Sequence, residues 1–419
     1  MGRAVLETLI WKALTKRSMG RLIFYDTSNY TDFPIGGQLT SIRAQLRFLC
    51  ENRPDLAGRI LLVGVTTDPA QVGHVSEIPM FGKQLKYLPA AVCETQLGHT
   101  AHSLRAAFAK GLLQCRAQLK PSREDLHYIH TPEAIGPIRL LCPMAKTVIF
   151  SHGSYMNMER GFRFFQKNVL IKKAFNVYLR YVLRTASEIF VLDEDSWNDY
   201  LPYNRHLHKI RNSIVLPDLP DAERLEKRQC EKRLVFIGRL SKDKGVEEII
   251  RAVHGMESGW QLTIVGDGEQ KEILTAMPEV DERIHFVGAV SPEQVPAYLQ
   301  NADILVMNSA FEGVPMAILE ALSYGVPVIS TDVGGIGETV RFGLDAERTD
   351  GCAQSIQAAA RTIAASYGQY CSHARQRAAY YDYRVVNADI LKFLEPALAA
   401  EKHEKPLQSS KKSDKLNRM

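Results

Sequence analysis

A chain of 419 residues, 45% hydrophobic and 24% charged, is long enough for two domains of ordinary size, each with its own core. No apolar run approaches the ~20 residues of a membrane span, Met1 to Leu22 hold no continuous apolar block of a secretory signal, and Leu6 stands where a myristoylation signal at Gly2 wants Ser or Thr, so a cytoplasmic protein is expected. The net charge of +5 is too small to argue for nucleic acid, and seven scattered cysteines without a C-x-x-C pair predict a reduced setting and no structural zinc. In chain order, Leu6, Ile10 and Leu14 first make a weak amphipathic lead within residues 1–20, beside Lys12, Lys16 and Arg17. Leu22 to Tyr25 reads as a first strand, and a polar loop, Asp26 to Pro34, leads to Gly36-Gly37. A helix follows with Leu39, Ile42, Leu46 and Leu49 on one face. Ile60 to Val65, Tyr128 to His130, Val148 to Phe150 and Ile189 to Leu192 are short apolar runs of the buried-strand kind, whereas the pattern between Glu77 and Pro89 is mixed and assigns to neither class.

Between Glu159 and Arg184 the bases Arg160, Arg163, Lys167, Lys172, Lys173, Arg180 and Arg184 interleave with Phe162, Phe164, Phe165, Phe175, Tyr178 and Tyr181. Two readings stand side by side: a helical segment lying on an anionic membrane or holding a phosphate-bearing acceptor, and a solvated helix pair whose aromatics pack into the first domain. A break at Leu216-Pro217-Asp218-Leu219-Pro220, followed by a charged run, reads as a linker over 218–232 between a first domain (1–217) and a second (233–380). The alternation then restarts with strands at Leu234 to Ile237, Gln261 to Val265, Ile284 to Val287, Ile304 to Met307 and Val326 to Ser330, and a helix at Val246 to Val253. Each half therefore predicts a Rossmann-like parallel α/β sheet. Residues 381–400 are expected to form a helix that crosses back to the first domain, and the lysine-rich tail 401–419 to be disordered.

The chemistry concentrates in the second half. The run Phe311-Glu312-Gly313-Val314-Pro315-Met316-Ala317-Ile318-Leu319-Glu320 follows an apolar strand and opens a helix, with Pro315 near its first position and Ile318, Leu319 and Leu322 on an inward stripe. That spacing sets Glu312 at the carboxyl end of a parallel strand, the ligand edge of an open α/β sheet. Glu320 falls on the first turns of the helix, away from the apolar stripe. Two carboxylates then flank a helix N-terminus, whose free N–H groups attract phosphate, a combination suited to a nucleotide-sugar. Gly238-Arg239-Leu240-Ser241-Lys242-Asp243-Lys244-Gly245 follows the first strand of the same domain, and the cations Arg239 and Lys244 at that strand end can neutralise a diphosphate in place of a metal ion.

These segments, together with Val265-Gly266-Asp267-Gly268, Gly325-Val326-Pro327-Val328-Ile329 and Gly334-Gly335-Ile336-Gly337-Glu338, resemble the retaining nucleotide-sugar glycosyltransferases of family 4, enzymes of the two-domain GT-B fold. The resemblance is specific over Leu234 to Val340 and looser over the first domain, where Gly36-Gly37 and Ser151-His152-Gly153 stand in the family's order. It implies that Arg239, Lys244 and, from the opposite domain, Gly37 hold the donor diphosphate. The backbone of Gly313, Val314, Pro315, Met316 and Ala317 would line sugar and phosphate, Glu312 and His152 would act at the reacting sugar, and Glu320 would accept from the ribose hydroxyls. Val290 and Gly266 would lie near the base, and His130 and Glu133 would face the acceptor. The segment Arg341 to Gly351 departs from the family in lacking its glycine-rich strand-and-loop run. The resemblance further implies a UDP- or GDP-sugar donor and a glycan acceptor. The basic aromatic segment adds peripheral membrane contact through 159–184 and, with it, a polyprenyl-linked acceptor in surface polysaccharide or cell-wall assembly, and the cations Arg239 and Lys244 make no metal or other cofactor necessary. Retention follows by front-face displacement, because no carboxylate of the pattern is an evident nucleophile. A sugar epimerase or phosphorylase and a non-catalytic glycan-assembly scaffold share this fold expectation. A nicotinamide dehydrogenase is disfavoured because the first strand lacks G-x-G-x-x-G after it. The residues leave sugar, base, acceptor and oligomeric state open.

Overall fold

The computed structural model describes residues 20–31, 37–93, 104–154, 169–218 and 229–398. The leading segment 1–19, residues 155–168 of the basic aromatic run, residues 219–228 of the expected linker and the tail from 399 onward lie outside the described residues.

The first sheet contains β1 (Leu22–Tyr25), β2 (Ile60–Thr66), β3 (Ser76–Met80), β4 (Lys83–Val92), β5 (Leu126–Ile129), β6 (Lys146–Phe150), β7 (Glu188–Val191) and β8 (Leu207–Lys209), in the order β3-β4-β2-β1-β5-β6-β7-β8. All neighbours run parallel except β3 against β4. All four residues of β1 are wholly buried, since alternate side chains feed opposite cores and helices cover both faces. Leu22 and Phe24 pack with Leu39, Ile42 and Leu46 of α1 (Gly37–Asn52), while Ile23 and Tyr25 pack with Phe108 of α2 (Leu104–Gln114), Ile138 of α3 (Ile135–Leu141) and Leu179 of α4 (Val169–Thr185). The mixed stretch from Glu77 to Pro89 is a hairpin turning on Phe81 (φ 49) and Gly82 (φ 72). Two successive positive φ values are what a two-residue hairpin of this hand needs, but Phe-Gly lacks the Asn-Gly or Asp-Gly signature that announces one. After β7, α5 (Glu194–Tyr200) starts at Asp193, whose carboxylate accepts from the Ser196 N–H at 2.7 Å.

The second sheet comprises β9 (Arg233–Ile237), β10 (Gln261–Val265), β11 (Ile284–Gly288), β12 (Ile304–Met307), β13 (Val328–Ser330) and β14 (Ala346–Arg348), in the order β11-β10-β9-β12-β13-β14, all parallel. α6 (Val246–His254) packs on one face, and α7 (Met316–Ser323) on the other, with Ile318, Leu319 and Leu322 fully buried. The segment from Arg341 to Gly351, lacking the glycine-rich run, nevertheless supplies β14, and the buried Asp345 carboxylate braces its start by accepting from Arg341 Nε at 2.6 Å. α8 (Ile336–Thr339), α9 (Ala353–Ala365) and α10 (Tyr367–Ala379) complete this half.

The last helix, α11 (Tyr383–Leu398), lays Tyr383, Val386, Ile390 and Leu394 into the core of the first sheet, beside α1. The outgoing and returning chains are joined: Ile214 N–H donates to Tyr381 O and Tyr383 N–H to Ile214 O, both at 2.9 Å.

Candidate donor site between the two sheets

In an open α/β sheet, ligands collect outside the carboxyl ends of the strands where the chain order reverses. The first sheet reverses between β1 and β5, and the second between β9 and β12. The loops that leave these four strands carry Asp26 and His130 on one side and Arg239, Lys244 and Glu312 on the other.

On the second-domain wall, Lys244 ends a short turn after β9, and Gly245 follows in the left-handed conformation (φ 58). A Cβ there would stand 2.5 Å from Asn308 O, so only glycine lets the β9 loop lie against the β12 loop. Asn308 ties the loops together, its amide donating to Gly245 O at 3.2 Å and Gly351 O at 3.0 Å. The result is a half-buried ion pair, Lys244 Nζ to Glu312 Oε1 at 2.5 Å, with Ser309 Oγ donating to the same oxygen at 2.7 Å. Arg239 is exposed and makes no ion pair among the described residues. Glu312 and Lys244 are therefore in contact, with Arg239 open to solvent beside them.

Pro315 caps α7 in an extended conformation (φ −71, ψ 122); Ile318 N–H donates to Pro315 O at 3.2 Å, and the Met316 and Ala317 N–H groups at the very start have no intrahelical partner. Glu320, one turn further on, keeps a little solvent access, yet protein surrounds it closely enough for desolvation to push its carboxyl up to about 7. Its carboxylate has no hydrogen-bond or cationic partner among the described residues. Gly334 (φ 55) and Gly335 close over the segment: a Cβ on Gly334 would stand 1.8 Å from Glu312 O, and Gly335 N–H donates to Gly313 O at 2.9 Å. Gly266 (φ 146) serves a similar end, because a Cβ there would stand 1.8 Å from Gly238 O. Val290 lies half-buried just after β11, in the next loop along the same sheet edge.

The first-domain wall is built differently. His130 leaves β5 and His152 leaves β6, and His130 Nδ1 lies 2.9 Å from His152 Nε2. The His130 ring, 2% exposed, stacks on Phe24 (6.0 Å, 12°) and Phe150 (5.2 Å, 29°). Burial lowers the His152 pKa to about 3, with Arg105 adding to the effect, and holds that of His130 well below its ordinary value. Glu133, on the turn after β5, meets Arg105 of α2 at 3.3 Å. Asp26 at the end of β1 is buried and accepts from Gln38 Nε2 at 2.5 Å, from Thr131 Oγ1 at 3.0 Å and from Ser28 Oγ. This network anchors the first turn of α1, next to Gly37.

The walls touch. A Cβ on Gly313 would stand 2.6 Å from His152 O, and one on Gly37 would stand 3.1 Å from Met316 Cβ. Asn212 Nδ2 donates to Val314 O at 3.4 Å. At the rim, Glu338 of α8 accepts from the Glu194 N–H at 3.0 Å, capping α5 of the other domain, and pairs with Lys209 at 2.8 Å. Sequence reasoning singled out neither this rim cluster nor Asp26, Gln38, Thr131, Arg105, Ser309 and Asn308. Asp26, Asn308 and Ser309 carried a readable signal, as polar residues directly after a buried strand at a sheet's ligand edge. Among the described residues no group of three His, Cys, Asp or Glu could hold a metal ion, and no helix is long and apolar enough to cross a membrane.

Comparison with known proteins bears on the fold. Residues 231–366 match the family model described as glycosyl transferases group 1. The putative teichuronic acid biosynthesis glycosyltransferase TuaC of Bacillus subtilis (strain 168) is 40% identical over 107 residues, 25% of this chain and 26% of that protein. The chain thus spans about a quarter of the length of that curated relative. Sucrose-phosphate synthase from Thermosynechococcus elongatus superposes with a TM-score of 0.73 at 17% identity, over 92% of this chain and 100% of that one. Anabaena HepE in complex with UDP-glucose gives 0.64 at 18% identity, over 90% and 99%. The two facing parallel sheets are the GT-B fold.

Proposed function

We propose that the protein is a retaining glycosyltransferase of family 4 that moves a hexosyl-type sugar from a UDP- or GDP-sugar to a glycan or lipid-linked glycan acceptor, without a metal ion, in surface polysaccharide or cell-wall assembly. The observation that carries this reading is the Lys244–Glu312 pair at 2.5 Å, set beneath the first turn of α7 at the point where the second sheet reverses. A half-buried ion pair of this kind is a poor stabiliser by itself, since desolvation cancels much of the attraction. It suits a ligand that offers both partners something better. A diphosphate takes Lys244, Arg239 and the α7 N–H groups, while sugar hydroxyls take Glu312, so no charge is left unmatched. Glu320 receives the ribose hydroxyls, the base lies toward Gly266 and Val290, and Gly37 approaches the phosphates from the other wall.

His152, neutral at working pH, contacts the sugar near its reacting face. The acceptor hydroxyl attacks the anomeric carbon from the side the diphosphate leaves. The bond from that carbon to the phosphate oxygen breaks, and a phosphate oxygen takes the hydroxyl proton. Lys244, Arg239 and the helix N-terminus stabilise the departing charge, and contact between the walls excludes water that would hydrolyse the donor. Glu133 and Arg105 border the acceptor side. The relative TuaC, named for teichuronic acid biosynthesis, and the UDP-glucose complex of HepE support the substrate class. The outer face of α4, with Lys173, Val177, Arg180, Tyr181 and Arg184 exposed, supports cytoplasmic, peripheral contact with an anionic membrane.

The test is nucleotide release from a panel of UDP- and GDP-sugars, with and without glycan and lipid-linked acceptors and in the presence of a chelator, followed by assignment of the product's anomeric configuration. Acceptor-dependent release with retained configuration is the expected result. An inverted product removes the proposed mechanism, and absence of nucleotide-sugar turnover removes the function.

A further inference from the structure

The chemistry above gives His152 a task and leaves its neighbour His130 without a direct one. His130 lies too deep to meet an acceptor: it is 2% exposed, stacked between Phe24 and Phe150, with the edge of Tyr128 at 5.0 Å. Burying an imidazole in such a slot costs free energy unless its nitrogens are matched. The match for Nδ1 is the Nε2 atom of His152, 2.9 Å away. A nitrogen–nitrogen contact at that distance requires one proton between the rings, since two N–H groups would collide and two bare lone pairs would repel. A neutral imidazole carries a single N–H, so the state of Nε2 on His152 dictates the state of its Nδ1.

The charged groups around the pair keep it neutral. Arg105 of α2, already engaged with Glu133 at 3.3 Å, disfavours a cation on His152. Asp26, from the end of β1, spends its oxygens on Ser28, Gln38 and Thr131. The aromatic faces from β1 and β6 offer no hydrogen-bond acceptor.

We infer that His130 is a positioning residue: through the Nδ1–Nε2 hydrogen bond it holds the ring angle of His152 and ties the tautomers of the two rings to each other, so that His152 meets the donor sugar through Nδ1 alone. The inference rests on the donor-facing role of His152 in the proposed function. It assigns His130 a place behind the reacting group instead of in the acceptor path. Residues that set which nitrogen of a reacting histidine carries the proton act by keeping the productive tautomer populated.

The test has a spectroscopic arm and a kinetic one. In the ¹⁵N-labelled, ligand-free protein, a ¹⁵N–¹⁵N coupling across the hydrogen bond should join His130 Nδ1 to His152 Nε2, with a proton on only one of the two nitrogens. Absence of that coupling overturns the inference, whether or not any variant folds. His130→Phe keeps the aromatic packing and removes the nitrogen. It should release His152 from this coupling, read as a shifted His152 tautomer ratio, and lower kcat by ~10-fold or more, with donor KM changed by less than ~3-fold. His130→Asn, whose amide can give or accept the bond, should restore the hold on His152 Nε2 and most of kcat. An unchanged tautomer and kcat in the Phe variant overturn the inference, as does a loss that the folded Asn variant fails to relieve. If the wild-type protein turns over no nucleotide-sugar, the proposed function fails on that count, while the coupling and tautomer measurements still decide the role of His130.

Discussion

The two walls of the cleft stand at equivalent points of two similar sheets yet follow opposite electrostatic rules. The first-domain wall keeps its two strand-end imidazoles uncharged: His130 and His152 share a hydrogen bond among aromatic rings. The second-domain wall keeps formal charge at the surface, with Lys244 against Glu312 and Arg239 open beside them. A strand end at a switch point therefore supplies a place and no particular chemistry. What the loop brings decides whether the wall reads shape and neutral hydrogen bonds or grips charge.

The contrast can be broken most forcefully by acid. His130 and His127 are buried and His152 is half-buried, desolvation lowering His127 to about 4 and His152 to about 3. Because their folded pKa values lie below the ordinary ~6.5, the unfolded chain binds more protons below that pH. Stability present at pH 7.5 is then lost as pH falls, by up to ~1.4 kcal/mol per pH unit for each histidine. Urea unfolding at pH 7.5, 6 and 5 should show a loss of several kcal/mol on this scale, and a flat profile would contradict the buried neutral wall.

Next in size is Glu312→Gln, which keeps the shape and removes the charge. Transfer should fall by at least ~10²-fold with an unchanged circular dichroism spectrum, in line with loss of a key site group. Retained activity would favour a scaffold over an enzyme. Glu320→Gln sharpens the comparison within the second wall. With its carboxyl raised to about 7, the folded state holds that proton more tightly than the unfolded chain, so stability falls as pH rises from ~4.5 towards 7. The variant should melt a few degrees higher than wild type at pH 8, be no more stable at pH 4.5, and bind nucleotide more weakly by calorimetry. The smallest effect belongs to the rim. Lys209→Met removes exposed pairs to Glu194 and Glu338, worth no more than ~1 kcal/mol, and should loosen domain closure mainly at low salt, as read by small-angle scattering.

The strands of both sheets were legible because burial on two faces writes them as continuous apolar runs, such as Leu22 to Tyr25 and Ile304 to Met307. The elements that escaped lack that signature. The β3–β4 hairpin turns on Phe-Gly, and β8 and β14 are three-residue strands at sheet edges, with one residue fully buried in each. The same logic divides the site. Glu312 and Glu320 are encoded within one strand–loop–helix unit, so spacing alone indicates their edge of the sheet. The contact of His130 with His152, the Asp26 network and the capping of α5 by Glu338 join segments separated by tens to more than a hundred residues, and no local pattern announces them.

The paired crossing at Ile214 has a mechanical meaning. Two chain segments pass between the domains side by side, clasped by reciprocal hydrogen bonds, while α11 embeds its apolar face in the other half. A single tether would leave each half free to swivel and drift. Two adjacent ones define an axle, so opening is a rotation about one line and closing returns each residue to the same partner. A protease cut at the exposed Asp218 should, by this geometry, leave a nicked protein that still migrates as one particle until denatured.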